Sequence, residues 1–162
     1  MSILIAYDGS PDARHAVEET ARLFPGASTV VLYARQPLES LAAYLEGHPA
    51  LEDLCDLDAR TLDASEHLAA EGAERARALG PNAEPRVASV PEKTAAEAIV
   101  DVAEETDASL IVLGSRGRRG LSALLSGSTS TRVVHSTSRS TLIIPSGPLA
   151  AARRDGRAGA ER

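Results

Sequence analysis

A segment rich in glycine, arginine and hydroxyl side chains has the residue types of an anion-binding site. It covers residues 114–130 and reads GSRGRRGLSALLSGSTS. An apolar run precedes it, and a short helical pattern over residues 131–135 follows it. Glycines let the backbone approach a ligand closely, and the first N–H groups of a helix have no partner within that helix. The pattern therefore predicts a strand, a loop that holds the phosphates of a nucleotide, and a helix.

A second polar group follows an apolar run at residues 3–7 and reads Asp8-Gly9-Ser10-Pro11-Asp12. Ser10 suits the N-cap of a helix, Pro11 suits its first position, and Asp12 complements the helix dipole. Asp8 is then expected at the tip of the first strand. There its carboxylate can accept hydrogen bonds from a ribose.

The elements that must position these residues alternate along the chain. Strands are predicted over residues 3–7, 28–34, 86–90, 109–113 and 141–144, and helices over residues 11–24, 54–79, 95–106 and 131–135. This order predicts an open parallel sheet with helices on both faces. Such sheets bind ligands beyond the carboxyl ends of their strands, where the strand order reverses.

One domain is predicted over residues 1–146, followed by a tail at residues 147–162 that lacks periodicity and is predicted to be disordered. Residues 38–74 are acidic, and their first part, to about residue 54, is predicted to be irregular. We interpret these carboxylates as a solvated helix face, because no compact carboxylate spacing typical of a metal site occurs.

The composition argues against several classes of function. Only 2% of the 162 residues are aromatic, which disfavours stacking on single-stranded nucleic acid, and the net charge of −6 disfavours DNA binding. A single cysteine excludes an intrachain disulfide and a thiolate metal cluster. The start, MSILIAYDGS, lacks the pattern of a secretory leader, and no apolar run is long enough to cross a membrane. We therefore expect a soluble cytoplasmic protein with no membrane or nucleic-acid partner.

At these residues the chain resembles the universal stress protein family, over about residues 1–146. The matching parts are the opening strand with Asp8-Gly9-Ser10 and the block SLIVLGSRGRRGLSALLSGSTSTRVVHSTSRSTLIIP at residues 109–145. Gly114, Gly117, Gly127 and Ser128 fit the pattern G-x2-G-x9-G-[ST], which marks the ATP-binding subgroup in that family. The resemblance implies the family's fold, an adenine nucleotide alpha hydrolase-like open five-stranded parallel sheet in the order 3-2-1-4-5 with helices on both faces.

The resemblance also implies contacts with an adenine nucleotide. The adenosine pocket would be lined by Ala6, Tyr7 and Asp8, with backbone contacts to adenine from Ala34, matched by position only. Ribose and phosphates would be flanked by Leu113, Gly114, Arg116 and Gly117, and the phosphates bound by Gly127, Ser128, Thr129 and Ser130. The family further implies Mg²⁺ between phosphate oxygens, and a homodimer whose last strands pair from Thr141 to Ile144. One departure is the sequence HSTSRS at residues 135–140, where the family has an Ala-Pro-Cys-Pro-like turn.

Three functional hypotheses remain open from the sequence. The first is a nucleotide-binding regulatory protein of the stress-protein type, with at most slow ATP hydrolysis. The second is an enzyme of the ATP pyrophosphatase or nucleotidyl transferase type, which needs a Ser-Gly-Gly-x-Asp-Ser or His-x-Gly-His element that residues 8–12 do not supply. The third is an interaction module with an unknown protein partner. ATP, cyclic AMP and AMP stay open as ligands.

Overall fold

The fold is an open parallel sheet, seen in a computed structural model that describes residues 1–35, 37, 50–91, 93–115, 129–148 and 150–151. Its five strands lie in the order β3-β2-β1-β4-β5. The elements in chain order are β1 (Ser2–Ala6), α1 (Pro11–Leu23), β2 (Ser28–Arg35), α2 (Ala50–Ala78), β3 (Asn82–Ser89), α3 (Ala95–Glu105), β4 (Leu110–Gly114), α4 (Thr129–Ser136) and β5 (Ser140–Ile144). The predicted fold class, sheet type and strand order are confirmed.

Two aliphatic cores cover the two faces of the sheet. Ile3 and Ile5 pack with residues of α1 and α2 on one face, whereas Leu4 packs with residues of α3 and α4 on the other. The alternation follows from the two-residue period of a strand. The chain thus leaves β1 toward one face and β4 toward the other. The strand order therefore reverses between β1 and β4, and in sheets of this type the ligand crevice lies beyond the carboxyl ends of the strands at that point.

Local sequence signals set the starts of two helices. Ser10 caps α1, since its Oγ accepts a hydrogen bond from Ala13 N at 3.2 Å. Thr94 and Glu97 form the capping box predicted for α3. These signals act within four residues, and the sequence alone was sufficient to place them.

Two predicted element starts are wrong by about four residues, and α4 begins at Thr129, two residues before its predicted start. Helix α2 begins at Ala50 and not near residue 54, so the end of the segment predicted to be irregular is helical. Strand β3 begins at Asn82 and not at residue 86, and it pairs with β2 along its whole length. The added part contains Glu84 and Pro85, a composition that only an edge strand tolerates. Residues 36 and 38–49, the rest of the segment predicted to be irregular, lie outside the described residues.

The turn between α4 and β5, where the sequence departs from the family, is held by polar contacts. Arg139 pairs with Glu104 at 2.6 Å and with Asp107 at 2.7 Å, and Ser138 Oγ donates to Glu104 at 2.8 Å. These contacts tie the turn to the end of α3 and the residues after it. They lie at the amino edge of the sheet, opposite the crevice.

None of the helices in the described part of the chain combines the length and hydropathy needed to span a bilayer. After β5, Ala150 N donates to Ser146 O at 2.8 Å, which makes one helical turn at the start of the predicted tail. Residues 152–162 lie outside the described residues, so the disorder predicted for the tail stays a prediction.

Candidate functional site

Asp8 lies just beyond the carboxyl end of the central strand β1. Tyr7 N donates to Leu32 O at 2.8 Å, which extends the β1–β2 ladder by one residue. Asp8 Oδ1 then accepts a hydrogen bond from Ser10 N at 3.0 Å. Gly9 has a φ of 74°, a left-handed conformation that favours glycine in this strand-to-helix turn. The turn therefore fixes the half-buried Asp8 beside the crevice.

The Tyr7 side chain faces away from the α3 and α4 side of the sheet. It is only 2% exposed and belongs to the core under α1 and α2. Its hydroxyl donates to Glu71 Oε1 at 2.9 Å, and Arg14 Nε donates to the same oxygen at 3.1 Å. Burial raises the pKa of the Tyr7 hydroxyl. Because the Tyr7 side chain is buried on the other face, only the Tyr7 backbone is available to contact a ligand in the crevice.

Three alanine side chains lie on the face of the sheet that α3 and α4 cover, near the carboxyl ends of β1, β2 and β3. We call this surface the alanine floor. They are Ala6, Ala34 and Ala88, each half-buried against the core of that face. Ala34 and Ala88 are paired in register. Such small side chains on adjacent strands leave room for a flat ring. Ala6 and Ala34 were predicted to contact adenosine, whereas Ala88 was not named, because its position beside Ala34 depends on the pairing of β3 with β2.

Gly114, the last residue of β4, packs against the start of α1. A Cβ at this position would lie 3.0 Å from the Asp12 carbonyl carbon and 3.1 Å from the Asp12 oxygen. A larger residue at this position would therefore have to displace the start of α1 by a few tenths of an ångström. The preceding Leu113 is 4% exposed, with its side chain in the core under α3 and α4.

Ser115 joins the end of β4 to two other elements. Its N–H donates to Ile144 O at 2.8 Å, and its Oγ donates to Asp12 Oδ2 at 3.2 Å. Asp12 is only 9% exposed. The sequence predicted Asp12 as a partner of the α1 dipole, and its contact with a residue 103 positions away was not foreseen.

Helix α4 presents its N-terminus at the carboxyl edge of the sheet, because it runs antiparallel to the strands. Its first turn contains no acidic residue, whereas α1 carries Asp12 and α3 carries Glu97 in theirs. A helix N-terminus attracts anions, and a carboxylate in the first turn reduces that attraction. Among these three helices, α4 thus offers the best position for a phosphate. Thr129 is exposed there and Ser130 is half-buried.

The fold brings the described site residues to one edge of the sheet. Asp8, Ala34, Gly114 and Thr129 come from four separate parts of the chain and all lie at the carboxyl ends of strands or at the start of α4. The other predicted phosphate contacts, Arg116, Gly117, Gly127 and Ser128, lie outside the described residues.

Comparison with known proteins agrees with this geometry. The model of the universal stress protein family matches residues 1–145. A Thermus aquaticus protein, the universal stress protein in the QAH/OAS sulfhydrylase 3' region, is 35% identical over 136 residues, which cover 82% of this chain and 90% of that protein.

Two solved structures of universal stress proteins share the fold. One, in complex with cAMP, is 20% identical with a TM-score of 0.63, over 91% of this chain and 98% of that one. The other, from Archaeoglobus fulgidus in complex with dAMP, is 25% identical with a TM-score of 0.54, over 89% and 97%. The family match covers nearly the whole sheet and both cores. The chain belongs to the universal stress protein family and has its adenine nucleotide alpha hydrolase-like fold.

Proposed function

We propose that this protein binds ATP with Mg²⁺ in the crevice between β1 and β4 and acts as a nucleotide-sensing, dimeric regulator in the cytoplasm. The observation that carries the proposal is the N-terminus of α4, which has no acidic residue in its first turn and directly follows the glycine–serine pattern. Backbone N–H groups and a positive dipole end at that position favour phosphate.

The adenosine half of the site would use the described residues at the ends of β1 and β2. The alanine floor, with Ala6 and Ala34, would support the adenine ring. The Asp8 carboxylate, held by Ser10 N, would accept hydrogen bonds from the ribose hydroxyls. The dAMP complex of the Archaeoglobus fulgidus relative supports an adenine nucleotide as the class of ligand.

The phosphate half would use the glycine pattern and the start of α4. Gly114, Gly117 and Gly127 would let the backbone approach the phosphates, and hydroxyls at residues 128–130 would donate to them. Arg116 would add positive charge. Mg²⁺ would bridge phosphate oxygens, consistent with its preference for oxygen ligands.

The described carboxylates favour binding over catalysis. Asp8 accepts a hydrogen bond from Ser10 N, and Asp12 accepts one from Ser115 Oγ. Asp8 thus stabilises the turn after β1, and Asp12 stabilises the end of β4. These are structural roles, and a general base would instead have to accept a proton from a substrate or water. We propose at most slow ATP hydrolysis. Turnover near the 1–1000 s⁻¹ typical of enzymes, abolished by one point substitution, would contradict this view.

Calorimetric titration with ATP and Mg²⁺ tests the site. We expect Gly117→Glu and Ser128→Glu each to weaken ATP binding by at least about tenfold, because a carboxylate repels phosphate and fills the space of the loop. Ser109→Glu is the matched control, since Ser109 is exposed at the opposite edge of the sheet. If all three variants bind ATP as tightly as the wild type, the proposed phosphate site is wrong.

The dimer is proposed to form through β5. The two edge strands differ: β3 carries Glu84 and Pro85, which discourage pairing, whereas β5 ends in three apolar residues and leaves Ile143 38% exposed. Val134 on α4 is also exposed, at 48%. Pairing of two β5 strands would cover the unpaired backbone and apolar side chains at this edge.

The substitution Ile143→Pro tests this dimer. Ile144 O accepts from Ser115 N, so residue 144 faces β4 and the N–H of residue 143 faces outward. Proline at 143 therefore removes an outward donor and leaves the β4–β5 ladder intact. We expect a monomer by light scattering, whereas Ile143→Ala should weaken the dimer less. A wild type that is monomeric at high micromolar concentration would contradict the proposal.

A further inference from the structure

We infer that Asp12 is a positioning residue for the phosphate-binding segment. It holds Ser115, and with it the point where that segment leaves β4, against the first turn of α1. This inference rests on the proposed nucleotide function. It adds a residue that none of the implied nucleotide contacts includes.

Three contacts fix the start of the segment. Gly114 approaches the Asp12 backbone so closely that an added Cβ would lie 3.0 Å from it. Ser115 N donates to Ile144 O at 2.8 Å, and Ser115 Oγ donates to Asp12 Oδ2 at 3.2 Å. The first two contacts involve backbone alone. Asp12 therefore supplies the contact that orients the Ser115 side chain.

The burial of Asp12 indicates that its carboxylate has a specific task. A carboxylate that is 9% exposed loses most of its hydration, and this loss is offset only by hydrogen bonds or favourable dipoles. The first turn of α1 provides such a dipole, and Ser115 Oγ provides a hydrogen bond. A carboxylate that only interacted with the α1 dipole would be stabilised equally well in an exposed position of the first turn, without the cost of burial.

The same charge influences where the phosphates bind. Asp12 occupies the first turn of α1 and so disfavours an anion at that helix, whereas the first turn of α4 has no acidic residue. The start of α1 is thus a poorer position for an anion than the start of α4, and the expected contribution of Asp12 to ATP binding comes from its hydrogen bond to Ser115. Its effect should depend on the phosphates and not on the adenosine.

The test compares ATP and adenosine binding by calorimetry in the full chain. We expect Asp12→Ala to weaken ATP binding about tenfold, as for loss of one charge-assisted hydrogen bond, and adenosine binding by less than about twofold. Asp12→Asn keeps an acceptor for Ser115 and should stay within about threefold of the wild type for ATP. Ser115→Ala should match Asp12→Ala, and the double variant should add little to either.

The controls separate positioning from a loss of stability. Arg139→Gln removes ion pairs at the opposite edge and should lower the melting temperature with unchanged ATP binding. If Asp12→Ala loses ATP and adenosine equally, or if Asp12→Asn falls as far as Asp12→Ala, the inference is overturned. A wild type that binds no nucleotide would instead overturn the proposed function, so the two failures are distinguishable.

Discussion

Arg35 and Asp58 form a buried ion pair at the carboxyl end of β2. Each residue is 7% exposed, and within the described part of the chain the Arg35 Nε has no hydrogen-bond partner. Removing two charges from water is costly, and their attraction in the interior offsets that cost only in part. We therefore interpret the pair as a device that fixes α2 against the sheet beside the site, with little net contribution to stability.

Single and double substitutions should behave differently at this pair. We expect Arg35→Met to lower the free energy of unfolding by about 3–5 kcal/mol, because it removes the cationic partner of the buried Asp58 carboxylate. Arg35→Met combined with Asp58→Leu should recover most of that loss. Urea denaturation measures the free energy of unfolding of the single and the double variant. Arg22→Met, at the exposed pair with Glu19, is the control and should change stability by less than about 1 kcal/mol. Equal stability of Arg35→Met and the control would refute the interpretation.

The residue-scale contacts show what the sequence could not predict. Asp12 and Ser115 are 103 positions apart, and Arg35 and Asp58 are 23 apart. Neither pair has a local pattern, since each depends on how strands and helices stack. Gly114, by contrast, was predicted from spacing alone, although the structure adds helix packing as a second reason for it.

Among the elements, the turn between α4 and β5 is held by charged side chains. Arg139 bonds to Glu104 and to Asp107, and it also donates to Ala108 O at 3.3 Å. Asp107 has a φ of 47°, in the left-handed region that aspartate tolerates better than most residues. These contacts fix the point at which the chain enters β5.

The pKa of Glu104 should depend on the contacts that hold this turn. The hydrogen bond from Arg139 lowers the pKa of Glu104 from 4.5 to about 2. A carboxyl whose folded-state pKa is depressed stabilises the fold above pH 4.5, and this contribution is lost as the pH falls toward 2. NMR titration of the side-chain carboxyl should give a midpoint near 2 in the wild type and a higher one, toward 4.5, in Arg139→Gln. Arg22→Gln should leave the Glu104 midpoint unchanged. An identical midpoint in the wild type, Arg139→Gln and Arg22→Gln would contradict the role given to Arg139.

Element boundaries were predictable where local chemistry marks them. The start of α1 follows from Ser10 and Pro11, and that of α3 follows from Thr94 and Glu97. The start of α2 was wrong because no Ser, Thr, Asp or Asn directly precedes Ala50 as an N-cap residue. The start of β3 was wrong because an edge position lets this strand include Glu84 and Pro85. Pairing with β2, and not local preference, sets the length of β3.

For the whole molecule, the order of strands explains how one edge collects residues from most of the chain. Reversal of the strand order between β1 and β4 places Asp8, Gly114 and the start of α4 around one crevice. The alternation of apolar runs and helical patterns predicted the parallel sheet, whereas the strand order was implied by the resemblance to the universal stress protein family. The sequence missed Asp12 and Ala88, whose positions become evident only when the strands are paired.

The measurement that tests the central claim most directly is mass spectrometry of small molecules released when the freshly purified protein is denatured. We expect an adenine nucleotide, with ATP the main species, at a substantial fraction of one per chain in the wild type and much less in Ser128→Glu. Absence of any adenine nucleotide, together with no ATP binding when the purified protein is titrated to millimolar ATP and Mg²⁺, would contradict the nucleotide-sensing function.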